Sequence, residues 1–288
     1  MMEIRLLGDV TVEIGGTAFA PERSAERCVL ATLALNPGRP VPVGTLIEHI
    51  WGSRAPAKAE ETVTTYVRAV RRMIGRAGGD RERLANRRLG GYQLDVEPQV
   101  VDYRRFVDLR SAAQARHREG DHGRAAEILE RALGLWRGDA LADVNGGWAD
   151  ARRLMMTRQR LDTTYALLDL HLRAGRAAAM ATRATELAYD DPTDKTLALA
   201  IRGLAASGQQ ALIPAFMKRA TDRMRERDAR PGVDVVGLAQ RLTREPAGAE
   251  RSPDAPAGGR RSDRFVVITA EHCVNVYQTT GDQYISAR

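Results

Sequence analysis

The side chains with the clearest potential chemistry lie in one segment, residues 62–76, which has four arginines and no acidic residue. On a helical wheel its valines and Ile74 fall on one face, as packing against a core requires. The opposite face carries the hydroxyls and guanidinium groups of Thr64, Thr65, Arg68 and Arg72, with Arg71 on its flank. Arginine can bond bidentately to guanine, and threonine can contact a thymine methyl. The stripe therefore fits a DNA groove; the alternative is a solvated basic face.

The elements around this segment have a recognisable order. Alternating apolar residues between positions 3 and 14 predict strands. Three helices follow: the first has Ser24 as its candidate N-cap, the second ends before Gly52, and the third carries the arginine stripe. Residues 83–96 then predict a hairpin with its turn at Gly90-Gly91. A hairpin directly after a third helix is typical of the wing of a winged helix-turn-helix.

Two arginines lie near the tip of this predicted wing, Arg87 and Arg88. A wing arginine can enter the minor groove, where the negative potential of DNA attracts it. The alternative is a turn that only improves solubility. We include both residues among the predicted DNA contacts.

From about Val101 onwards the pattern is helical throughout, with Gly120, Gly175 and Gly208 separating the helical runs. The interval between the last two glycines is close to the period of a helix-turn-helix repeat. The predicted fold is therefore mainly α with a small β component: an N-terminal winged helix-turn-helix followed by a tetratricopeptide-like all-α domain. The predicted divisions are a winged helix at 1–98, helical repeats at 99–245, a flexible linker at 246–262, and a short strand-forming tail of unknown role at 263–288.

Composition indicates the kind of partner and the cellular compartment of the protein. The formal net charge is +7 and the isoelectric point is near 9.8, which favours an anionic partner. The two cysteines, Cys28 and Cys273, have no paired spacing, which suits a reducing compartment. We find no signal-peptide pattern after Met1 and no apolar run approaching 18 residues. A cytoplasmic protein without a membrane partner is expected.

Catalysis is not expected. The sequence contains no Gly-rich phosphate loop of the Walker type, and its five histidines show no metal-ligand spacing. His117 and His122, five positions apart, are predicted to be solvated. We therefore predict no catalytic residues, no metal and no cofactor. No additional α/β unit is present that could serve as a phosphorylated receiver domain.

Several ordered motifs carry a family resemblance. In the first half they are Trp51-Gly52, Thr62-Val63-Thr64-Thr65-Tyr66-Val67, Arg71-Arg72 and Gly90-Gly91-Tyr92-Gln93-Leu94. In the second half they include Ala132-Leu133-Gly134-Leu135-Trp136-Arg137-Gly138-Asp139 and Arg230-Pro231-Gly232. Over about residues 3–245 the chain resembles the Streptomyces antibiotic regulatory protein (SARP) family. Members of that family join a response-regulator-type winged helix to a bacterial transcriptional activation domain of tetratricopeptide-like helices.

The resemblance implies a mechanism of binding without chemistry. The third helix would enter the major groove of promoter DNA, with Thr65, Arg68, Arg71 and Arg72 touching bases or phosphates. The loop from Gly52 to Ala59 would face RNA polymerase holoenzyme, through Ser53, Arg54 and Lys58. The family binds direct repeats near the −35 element, which implies a second protomer on the DNA, and it recruits polymerase through the sigma subunit. Its usual targets are gene clusters for secondary metabolites such as antibiotics.

The sequence departs from the family pattern at two positions, and it leaves two alternative functions open. Ala69 stands where the family usually has an arginine, so a base contact is lost or shifted to Arg68. Pro214 is expected to interrupt a late helix that is usually continuous. The alternatives to an activator are a repressor that blocks polymerase and a helical-repeat scaffold that carries a winged helix. The scaffold predicts no sequence-specific DNA binding.

Overall fold

The computed structural model describes residues 2–87, 91–174 and 176–244, without the side chains of residues 86–87 and 177–179. The chain begins with an antiparallel sheet of β1 (Met2–Arg5), β2 (Thr11–Ile14) and β3 (Thr17–Phe19), in that order. Gly15 and Gly16, both with positive φ, form the tight turn between β2 and β3. The sequence did not predict β3, because this short and mostly exposed strand has no apolar alternation.

A winged helix-turn-helix follows, as predicted. Its elements are α1 (Ser24–Ala34), β4 (Val41–Pro42), α2 (Val43–Trp51), α3 (Ala59–Arg76), β5 (Leu84–Arg87) and β6 (Gly91–Leu94). The last two strands form the predicted hairpin, and β6 lies between β5 and β4 in a second antiparallel sheet. A Cβ atom on Gly91 would lie 2.7 Å from the Val41 carbonyl oxygen, so glycine is required where β4 and β6 approach each other.

The second half is helical, which confirms the mainly α fold class. It contains α4 (Asp102–Arg118), α5 (His122–Leu133), α6 (Gly147–Arg173), α7 (Ala177–Asp190), α8 (Asp194–Ala206), α9 (Ile213–Arg225) and α10 (Val233–Arg244). Neighbouring helices pack as pairs, α4 against α5 and α7 against α8. The described helices include none that is long and apolar enough to cross a membrane.

Two sequence-based expectations about helix ends were wrong. Pro214 does not interrupt a helix, because it is the second residue of α9, where a missing N–H breaks no intrahelical hydrogen bond. Ser24 is the first residue of α1 and Arg23 is its N-cap. The Ser24 hydroxyl instead accepts a hydrogen bond of 2.9 Å from the backbone N–H of Asn145. The predicted linker at 246–262 and tail at 263–288 lie outside the described residues.

The N-terminal sheet, the winged helix and the start of the helical half share one hydrophobic core. Leu6 and Leu7, between β1 and β2, pack in the same cluster as Phe106 of α4 and Leu141, which precedes α6. Backbone hydrogen bonds reinforce this junction, for example from Leu141 N–H to the Leu6 carbonyl at 2.9 Å. A second core lies farther along the chain, between the end of α6 and α7–α10. The first core fixes the winged helix against the helices that follow it.

Candidate nucleic-acid interface

Helix α3 presents two opposite faces, as the helical wheel predicts. Val63, Val67, Val70 and Ile74 are at most 1% exposed and pack in the core shared with α1 and α2. Its first turn carries Glu60 and Glu61 and its last turn carries Arg76, an arrangement that complements the helix dipole. The apolar face therefore orients the helix and leaves the opposite face towards solvent.

The solvent-facing side of α3 carries three of the predicted contact residues fully in the open. Thr65, Arg68 and Arg72 are exposed, and the Thr65 hydroxyl donates to the Glu61 carbonyl at 3.1 Å. These three side chains line an open depression of about 700 Å³. Arg71, Arg81 and Glu82 complete its lining. Four guanidinium groups and one carboxylate line the depression, so its net charge is positive and would suit an anion.

Two other predicted residues, Thr64 and Arg71, also bind within the protein. The Thr64 hydroxyl donates its single proton to the Glu60 carbonyl at 3.0 Å. It therefore accepts the hydrogen bond from the hydroxyl of Tyr92 in β6, at 3.1 Å. The Arg71 Nε donates to the carbonyl of Leu84 in β5 at 2.6 Å. Both bonds connect α3 to the second sheet. They set the position of the wing relative to the helix.

The remaining predicted contacts divide between the wing and the loop before α3. The side chain of Arg87 and the whole of Arg88 lie outside the described residues. Ser53, Arg54 and Lys58 are all exposed on the loop that joins α2 to α3. Gly52 ends α2 with a φ of +59°, a conformation that favours glycine and turns the chain into this loop.

The sequence did not predict two residues of the depression, Arg81 and Glu82, and Arg81 is the one that adds a positive charge. It begins a short 3₁₀ turn, Arg81–Arg83, between α3 and β5. The signal in the sequence was the charged run Asp80-Arg81-Glu82-Arg83 directly after two glycines. A helical wheel of α3 cannot include it, because Arg81 belongs to the turn that follows the helix.

A stacked pair of rings lies at the junction between α2 and the helical half. His49 of α2 stacks on Trp148 of α6, with ring centroids 4.5 Å apart, and its Nδ1 lies 3.1 Å from the Thr32 hydroxyl. Burial, together with the nearby Arg152, lowers the pKa of His49 to about 4. The imidazole is therefore neutral at physiological pH.

Asp102, the first residue of α4, is a second polar group buried at this junction. Its carboxylate accepts hydrogen bonds from the backbone N–H groups of Leu6 at 2.8 Å and Leu7 at 3.2 Å, and from Arg137 at 3.2 Å. Burial raises the pKa of Asp102 to about 6, although all three donors oppose that rise. The N-terminal segment is thus bound to α4 through its backbone.

Among the residues that the structure describes, no group of three histidine, cysteine or acidic side chains could hold a metal ion. The exposed face of α3 offers hydrogen-bond donors and positive charge, which would suit a nucleic acid.

Comparisons with known proteins agree with this architecture. Residues 22–94 match the family described as "Transcriptional regulatory protein, C terminal", and residues 101–243 match "Bacterial transcriptional activator domain". The solved structure titled "Mycobacterium tuberculosis EmbR in complex with low affinity phosphopeptide" superposes with a TM-score of 0.77 at 26% identity. That match covers 85% of this chain and 65% of the EmbR chain.

Several curated relatives match most of the chain, among them two regulators from Streptomyces. The regulatory protein DnrI of Streptomyces peucetius is 31% identical over 89% of this chain and 97% of its own length. The regulatory protein AfsR of Streptomyces griseus is 30% identical over 89% of this chain, but the match spans only 26% of that longer protein. Because the likeness to DnrI runs through both domains and almost the whole of that protein, this chain belongs to the Streptomyces antibiotic regulatory protein family of transcriptional regulators.

Proposed function

We propose that this regulator binds direct repeats near the −35 element of its target promoters and activates transcription by recruiting RNA polymerase holoenzyme through the sigma subunit. Two protomers would sit head to tail on the repeats, in the cytoplasm. The targets would be genes of a secondary-metabolite cluster, as is usual for the family. DNA-binding regulation rests on both matched domain families. The promoter architecture and polymerase contact rest on the family resemblance.

The observation that carries the proposal is the two-faced geometry of α3. A buried valine face holds the helix, and the opposite face presents Thr65, Arg68 and Arg72 to solvent beside an open, basic depression. A helix that projects hydroxyls and guanidinium groups in this way can lie in the major groove. The proposed contacts are Thr64, Thr65, Arg68, Arg71 and Arg72 on α3, and Arg87 and Arg88 in the wing.

These contacts would divide into two classes. Arginines that reach phosphates supply affinity for any duplex, whereas side chains that reach base edges supply specificity. Thr64 and Arg71 have a second role, since their hydrogen bonds to Tyr92 and Leu84 hold the wing beside α3. We assign DNA binding to residues 1–98. We assign activation to residues 99–245 and to three exposed loop residues before α3, Ser53, Arg54 and Lys58.

The first test is the binding of the full chain to its own upstream region and to neighbouring promoters, competed with random duplex and titrated with salt. Arg72→Ala should weaken binding to the cognate site by roughly 1–3 kcal/mol if Arg72 reads a base. The matched control is Arg223→Ala, which removes an equal charge from an exposed position on α9. Wild-type binding that random DNA competes away equally would overturn sequence-specific regulation and favour the scaffold alternative.

The sign of regulation needs a separate measurement, because a repressor would bind the same DNA. Transcription in vitro with purified holoenzyme should rise when the chain is added to a template that carries the repeats. A fall in transcript on that template would replace the activator with a repressor.

A further inference from the structure

We propose that the depression beside α3 is a seat for one phosphodiester group of the DNA backbone, and that Arg81, held in place by Gly75, clamps that phosphate. This inference rests on the proposed DNA-binding function. It adds a contact from outside the recognition helix and a glycine whose role is to position it.

The side chain of Arg81 lies directly across the backbone of α3. A Cβ atom on Gly75 would be 2.5 Å from the Arg81 Cδ, 2.8 Å from its Cγ and 3.0 Å from its Nε. The first two distances are shorter than real Cβ contacts, so the arginine stem occupies the space that a side chain at position 75 would need. A glycine inside a helix costs about 1 kcal/mol relative to alanine. The contact with the Arg81 stem explains why a glycine nevertheless occupies this position.

The turn that carries Arg81 is itself fixed against the protein core. The N–H of Gly79 donates to the Ile74 carbonyl at 2.9 Å, and a Cβ on Gly79 would lie 2.8 Å from a methyl group of Ile14. The Asp80 carboxylate then accepts from the Glu82 N–H at 2.9 Å and caps the 3₁₀ turn. Arg81 therefore extends from a backbone that is hydrogen-bonded to α3 and capped by Asp80, and its stem lies across the helix at Gly75. Both contacts direct its guanidinium group towards the depression.

The charge at this place suits a phosphate. Arg81 shares the lining of the depression with Arg68, Arg71 and Arg72, and Glu82 is the one acidic group among the described residues that line it. Guanidinium groups and phosphate oxygens match in geometry, and their hydrogen bonds are charge-assisted. A phosphodiester has the same charge at every base pair, so this contact would position the protein on DNA of any sequence.

The test compares two arginines of the same turn. Arg81→Ala should weaken the binding of cognate and random duplex by a similar factor, about ten-fold, and should reduce the slope of log affinity against log salt by about 1. Arg83→Ala is the matched control, because Arg83 is also exposed, lies two residues away and is not part of the depression. It should change affinity by less than about two-fold, as expected for long-range screening alone.

A second variant separates position from charge. Gly75→Ala keeps every charge but displaces the Arg81 stem, so it should reproduce most of the loss caused by Arg81→Ala. Its thermal stability should be equal to the wild type or higher, because alanine favours a helix over glycine. A loss of DNA affinity in a variant that is at least as stable cannot come from unfolding.

Three outcomes would overturn the phosphate clamp: equal effects of Arg81→Ala and Arg83→Ala, a loss confined to the cognate site, or a Gly75→Ala variant with wild-type affinity. None of these would affect the proposed function as long as the wild type binds its promoter selectively. Conversely, a wild-type chain that shows no selective binding would remove the proposed function, whatever the Arg81 variants do on random duplex.

Discussion

Asp102 shows how much a single buried residue can contribute to this architecture. Its carboxylate is fully buried and accepts hydrogen bonds from two backbone N–H groups that are distant in the sequence. A donor that loses its partner in the interior carries the whole cost of its desolvation. The residue therefore matters less for the bonds it forms than for the groups that its removal would leave unpaired.

Asp102→Ala should lower the free energy of unfolding by about 2–5 kcal/mol, because the N–H groups of Leu6 and Leu7 lose their acceptor and Arg137 loses a partner. Urea denaturation of the full chain at neutral pH measures the change. Asp139→Ala provides the control, since Asp139 is exposed on the segment between α5 and α6. Similar losses in the two variants would show that the buried carboxylate does not hold the junction.

At the scale of elements, the loop from Gly52 to Ala59 and helix α3 are adjacent in sequence, and we propose different partners for them. The loop side chains Arg54 and Lys58 are exposed, while α3 turns Arg68 and Arg72 towards the open depression. Such a division allows one element to bind DNA while the other contacts a protein.

The double variant Arg54→Ala, Lys58→Ala should keep DNA affinity within about two-fold of the wild type, because exposed charges that do not touch DNA are screened by salt. The same variant should abolish activation in transcription with purified holoenzyme. The comparison variant is Lys218→Ala, Arg223→Ala on α9, which removes two exposed charges far from the loop along the chain. We expect that variant to activate normally. A loop variant that fails to bind the promoter would contradict this division of labour.

The elements differ in how well the sequence predicts them. Helix α3 was predicted with its buried and exposed faces, because four apolar residues recur at the helical period and a helix obeys that period locally. The wing followed from glycines at its turn. The short strand β3 has no such pattern, so it was missed. Element order and type are local properties, and these were within reach of sequence reasoning.

The candidate site shows the same limit. Thr65, Arg68 and Arg72 could be placed from the helical wheel alone. The location of Arg81 depends on a contact with Gly75, and the second role of Thr64 depends on a hydroxyl of β6 that is distant in the sequence. Tertiary packing creates both contacts, and a periodic pattern carries no information about them.

At the scale of the whole molecule, the junction between winged helix and helical half contains two titratable groups with opposite pH dependence. The folded-state pKa of His49 lies below its ordinary value, at about 4. As the pH falls, His49 therefore binds a proton in the unfolded chain before it does so in the folded protein. Its contribution to stability is complete above pH 6.5 and is lost as the pH falls towards 4. Asp102, with its pKa raised to about 6, destabilises the fold as the pH rises from about 4 to 6.

Comparison with a non-titrating variant isolates the histidine, because the contribution of Asp102 cancels in the difference. His49→Phe keeps a ring that can stack on Trp148 but cannot be protonated. The stability of the wild type relative to this variant should fall between pH 6.5 and pH 4.5 and stay constant between pH 7 and pH 8. Urea denaturation at four pH values measures it, and a difference that is independent of pH would show that His49 is not buried as a neutral ring.

The shared core has a consequence for the promoter. Backbone hydrogen bonds from Arg137 to Leu7, from Leu141 to Leu6 and from Ala142 to Gly8 join the two halves within one shared core. A regulator joined in this way would present its proposed activating surface at a constant angle around the DNA axis. Because B-DNA turns once in about 10–10.5 base pairs, activation should then depend on the helical phase between operator and promoter. Evolution of new target promoters would be restricted to spacings that differ by whole turns of the duplex.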